Sequence, residues 1–191
     1  MIEHPLLHTT MLTCHPETGS QVVHEINVQV RWLQDDALAL IYTLMGDCAR
    51  LRIPSPRLPV KVDGLWRHTC FEAFVSVQGN SAYGEFNFSP SGEWAVYHFR
   101  GYRDRLPLEE EEPAPQTLTR REEKRLELEA RVHLSHPLLT QPLRLALSAV
   151  IEDDVGTLSY WALKHPPGKP DFHHPEAFAL KIAPLYGTAT R

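Results

Sequence analysis

The apolar residues of this chain recur mostly at every second position, which is the period of a β-strand with one buried face. Val22 to Trp32 and Arg125 to Leu134 alternate between apolar and polar residues. Leu38 to Met45 is nearly all apolar and predicts a more buried strand. Leu143 to Ile151 and Leu158 to Leu163 add two more strands, separated by an acidic turn that ends in glycine.

Shorter segments complete the predicted architecture. Arg50 to Ile53 predicts a short strand closed by prolines, and Thr119 to Lys124 suits a helical turn. Residues 107–118 are acidic and proline-rich, which indicates an exposed loop. Together the pattern predicts nine to eleven strands with at most one short helix. We therefore expect residues 1–191 to form a single all-β domain, a two-sheet antiparallel β-sandwich.

A central hairpin has a well-specified register. Gly79-Asn80 predicts its turn, so Glu72 faces Asn87 and Phe74 faces Glu85 on one side. The other side of the hairpin is apolar and is expected to face the core, since a slip of one residue would mix the two sides. The polar and aromatic side is either the solvated outside of a sheet or a ligand site, and both interpretations stay open.

Candidate binding residues surround this polar side. Trp66 precedes the first strand, and an indole beside polar groups is typical of a platform for a sugar or another small ligand. A following strand, 94–100, would bring Arg100 to the same patch if its even-numbered residues share the face of Glu85. Arg100 could then pair with Glu72 or Glu85 and hold the carboxylate for a ligand hydroxyl.

The second candidate region is the proline-rich segment 161–175. Its prolines make it stiff, so we expect Trp161, Lys164 and His165 to be held as a wall of the site. The histidines in this segment match no metal-binding spacing, and no cysteine lies near them. We therefore predict no metal site.

Composition and charge exclude several functions. The net charge of −5 argues against a general nucleic-acid binder. The N-terminus lacks the basic and apolar regions of a signal peptide, and no apolar run is long enough to span a bilayer. Three widely spaced cysteines argue against a disulfide framework. These observations predict a cytoplasmic protein that binds neither nucleic acid nor membrane.

Four sequence runs together resemble a known family. They are Leu65-Trp-x-x-Thr-Cys-Phe-Glu72, Glu85-Phe-Asn-Phe-Ser-Pro-Ser-Gly-x-Trp94, Tyr102-Arg103 and Lys169-Pro-Asp-Phe-His173. In this order they resemble the bacterial DOMON-like proteins, which are related to family 9 carbohydrate-binding modules. The resemblance extends from about residue 20 to residue 183, and only the joint presence of the runs makes it specific.

The resemblance implies a ligand-binding β-sandwich that is not an enzyme. In the sugar-binding relatives two tryptophans flank a terminal sugar, and Trp66 and Trp161 match them by position. Glu72 matches the glutamate that follows the first tryptophan, and Asn87 and Arg100 match polar ligand-binding side chains less closely. The implied ligand is a carbohydrate or a small molecule derived from a sugar.

The sequence also permits other functions. Some relatives bind haem, but Met11 and Met45 form no evident axial pair with a histidine. Calcium sites of the sugar-binding relatives cannot be traced in this sequence, so we expect no cofactor. A protein-interaction domain without a small ligand is a further alternative. Glycoside hydrolysis is the least favoured alternative, because Glu72 and Glu85 belong to no complete catalytic motif and nothing in the sequence predicts a raised pKa.

Overall fold

Eleven antiparallel strands and very little helix make up the part of the protein that the structure describes. The computed structural model describes residues 7–107 and 113–186. No helix in these two ranges is long and apolar enough to cross a membrane. The strands are β1 (His8–Cys14), β2 (Val23–Trp32), β3 (Ala37–Gly46), β4 (Cys70–Val77), β5 (Tyr83–Phe88), β6 (Trp94–Phe99), β7 (Gln116–Arg121), β8 (Arg125–His133), β9 (Leu143–Glu152), β10 (Leu158–Ala162) and β11 (Leu180–Ile182). The helix α1 spans His136–Leu139, and short 3₁₀ turns span Pro16–Thr18, Cys48–Arg50, Leu65–Arg67 and Pro175–Ala177.

The strands form two sheets that share β1. The first sheet has the order β1-β2-β3-β8-β7, and the second has the order β6-β5-β4-β9-β10-β1, with β11 also paired to β9. His8 to Leu12 pair with β2, whereas Thr13 and Cys14 pair with β10. One curled sheet therefore folds over on itself, which confirms the predicted two-sheet antiparallel sandwich.

The main core lies between the two sheets. Ile26, Val28 and Val30 of β2 are fully buried there, opposite Phe71 and Phe88 of the central hairpin. Tyr42 of β3 is also fully buried, and its hydroxyl donates a 2.8 Å hydrogen bond to the carbonyl oxygen of Glu72 on β4. This bond connects the two sheets directly beneath the polar face of the hairpin.

Most predicted strands are confirmed, and three short segments differ. Cys48–Arg50 forms a 3₁₀ turn and Leu51 makes only an isolated bridge to Asp153, so the strand predicted over 50–53 is absent. The helical turn predicted over 119–124 is wrong, because β7 pairs with β8 along its whole length. Residues 116–118 of the predicted acidic loop belong to the same strand, and residues 108–112 lie outside the described residues.

Tyr42→Phe tests the bond between the sheets. We expect the free energy of unfolding to fall by about 1–2 kcal/mol, because a buried hydrogen bond is lost while the ring packing is kept. Urea denaturation followed by tryptophan fluorescence measures the change. Tyr160→Phe is the control, since no hydrogen bond of that hydroxyl is found within the described ranges, and a loss as large in the control would contradict the role of the Tyr42 bond.

Candidate ligand-binding pocket

The outer face of the second sheet carries a second hydrophobic cluster. Strand side chains that point away from the main core are covered there by the segment 163–179, which joins β10 to β11. The interpretation of the polar side of the hairpin as a solvated face is therefore wrong. The buried members of the cluster include Phe74, Tyr83, Tyr97, Phe99, Val150, Phe172 and Phe178.

Arg144 of β9 fastens the covering segment to the sheet. Its guanidinium donates to the carbonyl oxygen of Phe178 from Nε at 3.1 Å and from Nη2 at 2.7 Å. Nη2 also donates to the carbonyl oxygen of Pro175 at 3.1 Å. The covering segment is irregular, so its backbone carbonyl groups lack the hydrogen-bond donors that a neighbouring strand would provide. The charge-assisted bonds from Arg144 supply those donors.

A cavity of about 540 Å³ opens between the sheet and this segment. Its floor comes from the strands and includes both predicted glutamates, and its walls come from four loops and β10. The residues that line it are Thr18, Trp66, Glu72, Glu85, Tyr97, Phe99, Arg103, Arg105, Val150, Tyr160, Lys169, Pro170, Phe172 and His173. A cavity of this size suits a small organic ligand.

The loop that carries Trp66 is anchored to β6. Gly64 begins the 3₁₀ turn with φ of 79°, a left-handed conformation that glycine adopts without strain, and its amide donates to the Tyr97 hydroxyl at 3.3 Å. The same hydroxyl donates to Asp63 at 2.5 Å. Trp66 remains 48% exposed, with the Arg67 guanidinium 5.3 Å from its ring centroid. The indole lines the cavity and is partly exposed, so it stands at the cavity mouth.

Two glutamates lie close together in the floor. Asn87 pairs with Glu72 across the hairpin, and its Nδ2 donates to Glu85 Oε1 at 2.8 Å. Ser148 of β9 donates to Glu72 Oε2 at 3.4 Å. All four side chains are buried. The predicted hairpin register is confirmed, and it is what places both carboxyl groups on the cavity side of the sheet.

Burial keeps these carboxyl groups from ionising easily. It raises the pKa of Glu72 well above its usual value, and the nearby charge of Glu85 raises it further. Burial also raises the pKa of Glu85 to about 7, although Asn87 and the charges of Arg105 and Arg103 oppose the shift. The expectation that nothing raises a carboxyl pKa here is therefore wrong.

Two buried oxygen atoms without a hydrogen-bond partner indicate the protonation state of Glu72. Among the described residues, Glu72 Oε1 and Asn87 Oδ1 are buried acceptors without a hydrogen-bond partner. They belong to residues paired directly across the hairpin. A proton on Glu72, whose pKa is raised by burial, would turn its unpaired oxygen atom into a hydrogen-bond donor. We therefore expect Glu72 to be a neutral carboxylic acid.

His173 lies beside Glu85 and is linked through the Tyr83 hydroxyl to the loop that follows β6. The Tyr83 hydroxyl accepts the amide N–H of Arg103 at 3.2 Å and lies 2.9 Å from His173 Nδ1, to which it can donate its proton. His173 Nε2 then faces Glu85 Oε2 at 3.8 Å, beyond hydrogen-bond distance. Burial, followed by the charge of Arg103, lowers the pKa of His173 to about 4, so the ring is neutral at neutral pH.

Several predicted site residues lie elsewhere. The Ser89–Glu93 connection pairs Phe88 with Trp94 and Glu85 with Tyr97, so the even-numbered residues of β6 share no face with Glu85. Arg100 instead forms an exposed pair with Asp104, at 3.1 Å from both Nε and Nη2. Asn87 supports Glu85 from within the floor and does not line the cavity.

The predicted wall residues of the C-terminal segment are also displaced. Trp161 is buried in the main core, where its indole donates to Ser159 at 3.0 Å, because Tyr160 takes the cavity side of β10. Lys164 pairs with Glu176, and His165 Nε2 lies 2.8 Å from the Thr13 carbonyl oxygen. These last two residues line a different cavity, beside β1.

Sequence reasoning missed much of the actual wall. Tyr97 and Phe99 were not predicted, because the even-numbered residues of β6 were considered for the face of Glu85. The alternation of β10 could have identified Tyr160, since residues at even positions there share one face. Arg105 and Lys169 stand on loops, where no periodicity reports the direction of a side chain. Within the described residues, no group of three or more histidine, cysteine, aspartate or glutamate side chains is arranged to hold a metal ion.

Comparisons with known proteins establish the fold. No protein-family model matches the chain, and no curated protein is significantly similar to it. A protein from Bacteroides uniformis provisionally assigned as carbohydrate-binding superposes with a TM-score of 0.64 and 16% identity, over 89% of this chain and 83% of that one. A family 9 carbohydrate-binding module from Caldicellulosiruptor kristjanssonii, in complex with cellotriose, superposes with a TM-score of 0.56 and 12% identity, over 95% and 80% of the two chains. The chain therefore has the β-sandwich fold of these two proteins.

Glu85→Gln tests the electrostatic state of the floor. A folded-state pKa of about 7, above the usual 4.5, means that the stability contribution of Glu85 is complete below about pH 4.5 and is lost as pH rises through about 7. Glutamine does not titrate. The variant should therefore gain stability over the wild type across this window, by on the order of 3 kcal/mol at its upper end.

Denaturation of both proteins over this pH range measures the difference between their free energies of unfolding. Titrations of groups that both proteins contain cancel in this difference. Glu129→Gln, on the half-exposed solvent side of β8, is the matched control for the removal of a carboxyl group outside the cavity. A difference for Glu85→Gln that does not change over this pH range, or that only matches the difference of the control, would contradict the raised pKa.

Proposed function

We propose that the cavity binds a carbohydrate or a molecule derived from a sugar, and that the chain is a binding module without catalytic activity. The observation that carries the proposal is the exposed indole of Trp66 at the mouth of a cavity whose floor holds carboxyl groups. Sugars present both an apolar face and a ring of hydroxyl groups. An aromatic platform beside buried polar atoms matches both parts.

The floor has hydrogen-bonding capacity left for a ligand. Within the described residues, Glu85 Oε2 makes no hydrogen bond and lies 3.8 Å from His173 Nε2, so it can still accept a hydrogen bond from a hydroxyl group. Tyr160 and Phe172 add aromatic surface to the lining of the cavity. The second tryptophan that the sequence suggested is thus replaced by other aromatic side chains.

The structural comparisons support the same class of ligand. The family 9 module with this fold is bound to cellotriose, and the Bacteroides uniformis protein is provisionally assigned as carbohydrate-binding. At such low identity these likenesses establish only the fold. The sugar-binding role of this chain is therefore inferred from them together with the cavity.

A second candidate function has one observation in its favour. Both Glu72 and Glu85 have raised pKa values, and a glycosidase needs a carboxyl group that stays protonated near neutral pH. Release of nitrophenol from chromogenic glycosides, lost in Glu72→Gln, would establish hydrolysis. We expect no turnover by the wild-type protein, and steady release above the buffer rate would overturn the proposed absence of catalysis.

Trp66→Ala tests the platform. We expect the affinity for a bound sugar to fall at least about tenfold, because removal of the indole takes away the apolar contact surface. Isothermal titration with glucose, cellotriose, amino sugars and sugar acids measures it. The fold should be unaffected, since about half of the Trp66 side chain is already in solvent.

Tyr186→Ala is the matched control, because Tyr186 is 45% exposed and lines no part of this cavity. Its affinity should equal that of the wild type. Unchanged affinity in Trp66→Ala would remove the platform from the proposal. The absence of binding by every sugar class would favour the alternative of a surface for a protein partner.

A further inference from the structure

Three cationic side chains line the cavity whose floor holds Glu72 and Glu85. They are Arg103, Arg105 and Lys169, and they converge from the loop after β6 and from the segment that covers the sheet. The chain as a whole carries a net charge of −5. A local excess of positive side chains against that background requires a specific explanation.

Arg105 is held in place with donors to spare. Its guanidinium lies 4.0 Å from the centroid of the Tyr97 ring, and its Nη2 is 3.6 Å from Asp63 Oδ1. The contact with Asp63 is longer than a hydrogen bond, and Asp63 already accepts the Tyr97 hydroxyl. A guanidinium carries five N–H donors, so Arg105 is oriented by the ring while its donors remain available.

Arg103 and Lys169 complete the cationic wall. Arg103 adopts φ of 55°, which is unusual for a residue with a side chain, and its Nη2 donates to Asp171 Oδ1 at 2.7 Å. That bond uses one of its five donors. Lys169 is exposed, and no carboxylate of the described residues lies within ion-pair distance of its ammonium group.

The acidic residues nearby offset only part of this charge. Burial raises the pKa of both Glu72 and Glu85, so the floor carries less than its full negative charge at neutral pH. Asp171 forms an ion pair with Arg103 and Asp63 lies within ion-pair distance of Arg105, so each aspartate balances one guanidinium charge. The guanidinium donors that stay unused and the ammonium group of Lys169 still make the wall attractive to an anion.

We propose that the ligand carries a carboxylate or phosphate group, bound by Arg103, Arg105 and Lys169, beside hydroxyl groups that reach Glu72 and Glu85. This inference rests on the proposed function and narrows it to acidic sugars. Guanidinium groups match the geometry of both anions, and a hydrogen bond between charged partners is about twice as strong as a neutral one. A neutral sugar would leave these donors without their best partner.

Isothermal titration should compare glucose, glucuronate, glucose 6-phosphate and inorganic phosphate at neutral pH. We expect at least one acidic sugar to bind about tenfold more tightly than glucose, as one or two added charge-assisted bonds imply. The acidic sugars distinguish carboxylate from phosphate as the preferred anion. Added sodium chloride should reduce the advantage of the acidic sugar and leave the affinity for glucose nearly unchanged.

Lys169→Gln should reduce this advantage without affecting the fold, because Lys169 is exposed and unpaired within the described ranges. The affinity for the acidic sugar should fall by a larger factor than the affinity for glucose, since a neutral ligand gains little from a rim charge. Lys181→Gln is the matched control, because it removes an equal charge from exposed β11, away from the cavity.

The possible results separate the two proposals. Binding of glucose as tight as that of both acidic sugars would overturn the anionic ligand and leave sugar binding in place. Binding of inorganic phosphate as tight as that of glucose 6-phosphate would overturn it too, since an anion alone would then suffice. Failure of all the sugars to bind would remove both proposals.

Discussion

Packing of the segment 163–179 across the outer face of the second sheet is the contact on which the rest of this site depends. An antiparallel sheet commonly leaves one face in water. Here Arg144 fastens the segment to β9, and Phe172 and Phe178 pack on the aromatic side chains of the strands. The sheet therefore has a hydrophobic core on each face. The core on the outer face does not fill the space beneath the segment, and the cavity lies there.

The same contact determines the charge of the site as well as its shape. Covering the sheet removes Glu72 and Glu85 from water, and this desolvation raises the pKa of both carboxyl groups. It also neutralises His173, which the segment itself contributes. With the floor partly protonated, Arg103 and Arg105 at the wall are the groups that we propose to select the ligand. Shape, proton occupancy and the proposed selectivity for an acidic sugar thus have one physical origin.

The sequence predicted those parts of the site that depend on local pairing. The turn at Gly79-Asn80 and the alternation around it were enough to place Glu72 and Glu85 on one face, and the structure has the same pairs. The β6 register was not predictable, because the longer connection 89–93 permits more than one pairing. That one register decides whether Tyr97 or Arg100 reaches the cavity, and the conditional assignment of Arg100 was wrong.

By itself, the sequence determined the all-β architecture, most strand positions and the placement of Trp66 at the entrance to the hairpin. Period-two patterns and turn residues act over a few positions, so they are readable along the chain. Only the tertiary structure decided that the polar face is buried, that Tyr160 replaces Trp161 at the cavity, and that Lys169 and Arg105 line the same cavity. Those results depend on contacts between residues far apart in sequence. Such contacts are determined by side-chain packing, and no local sequence period reports them.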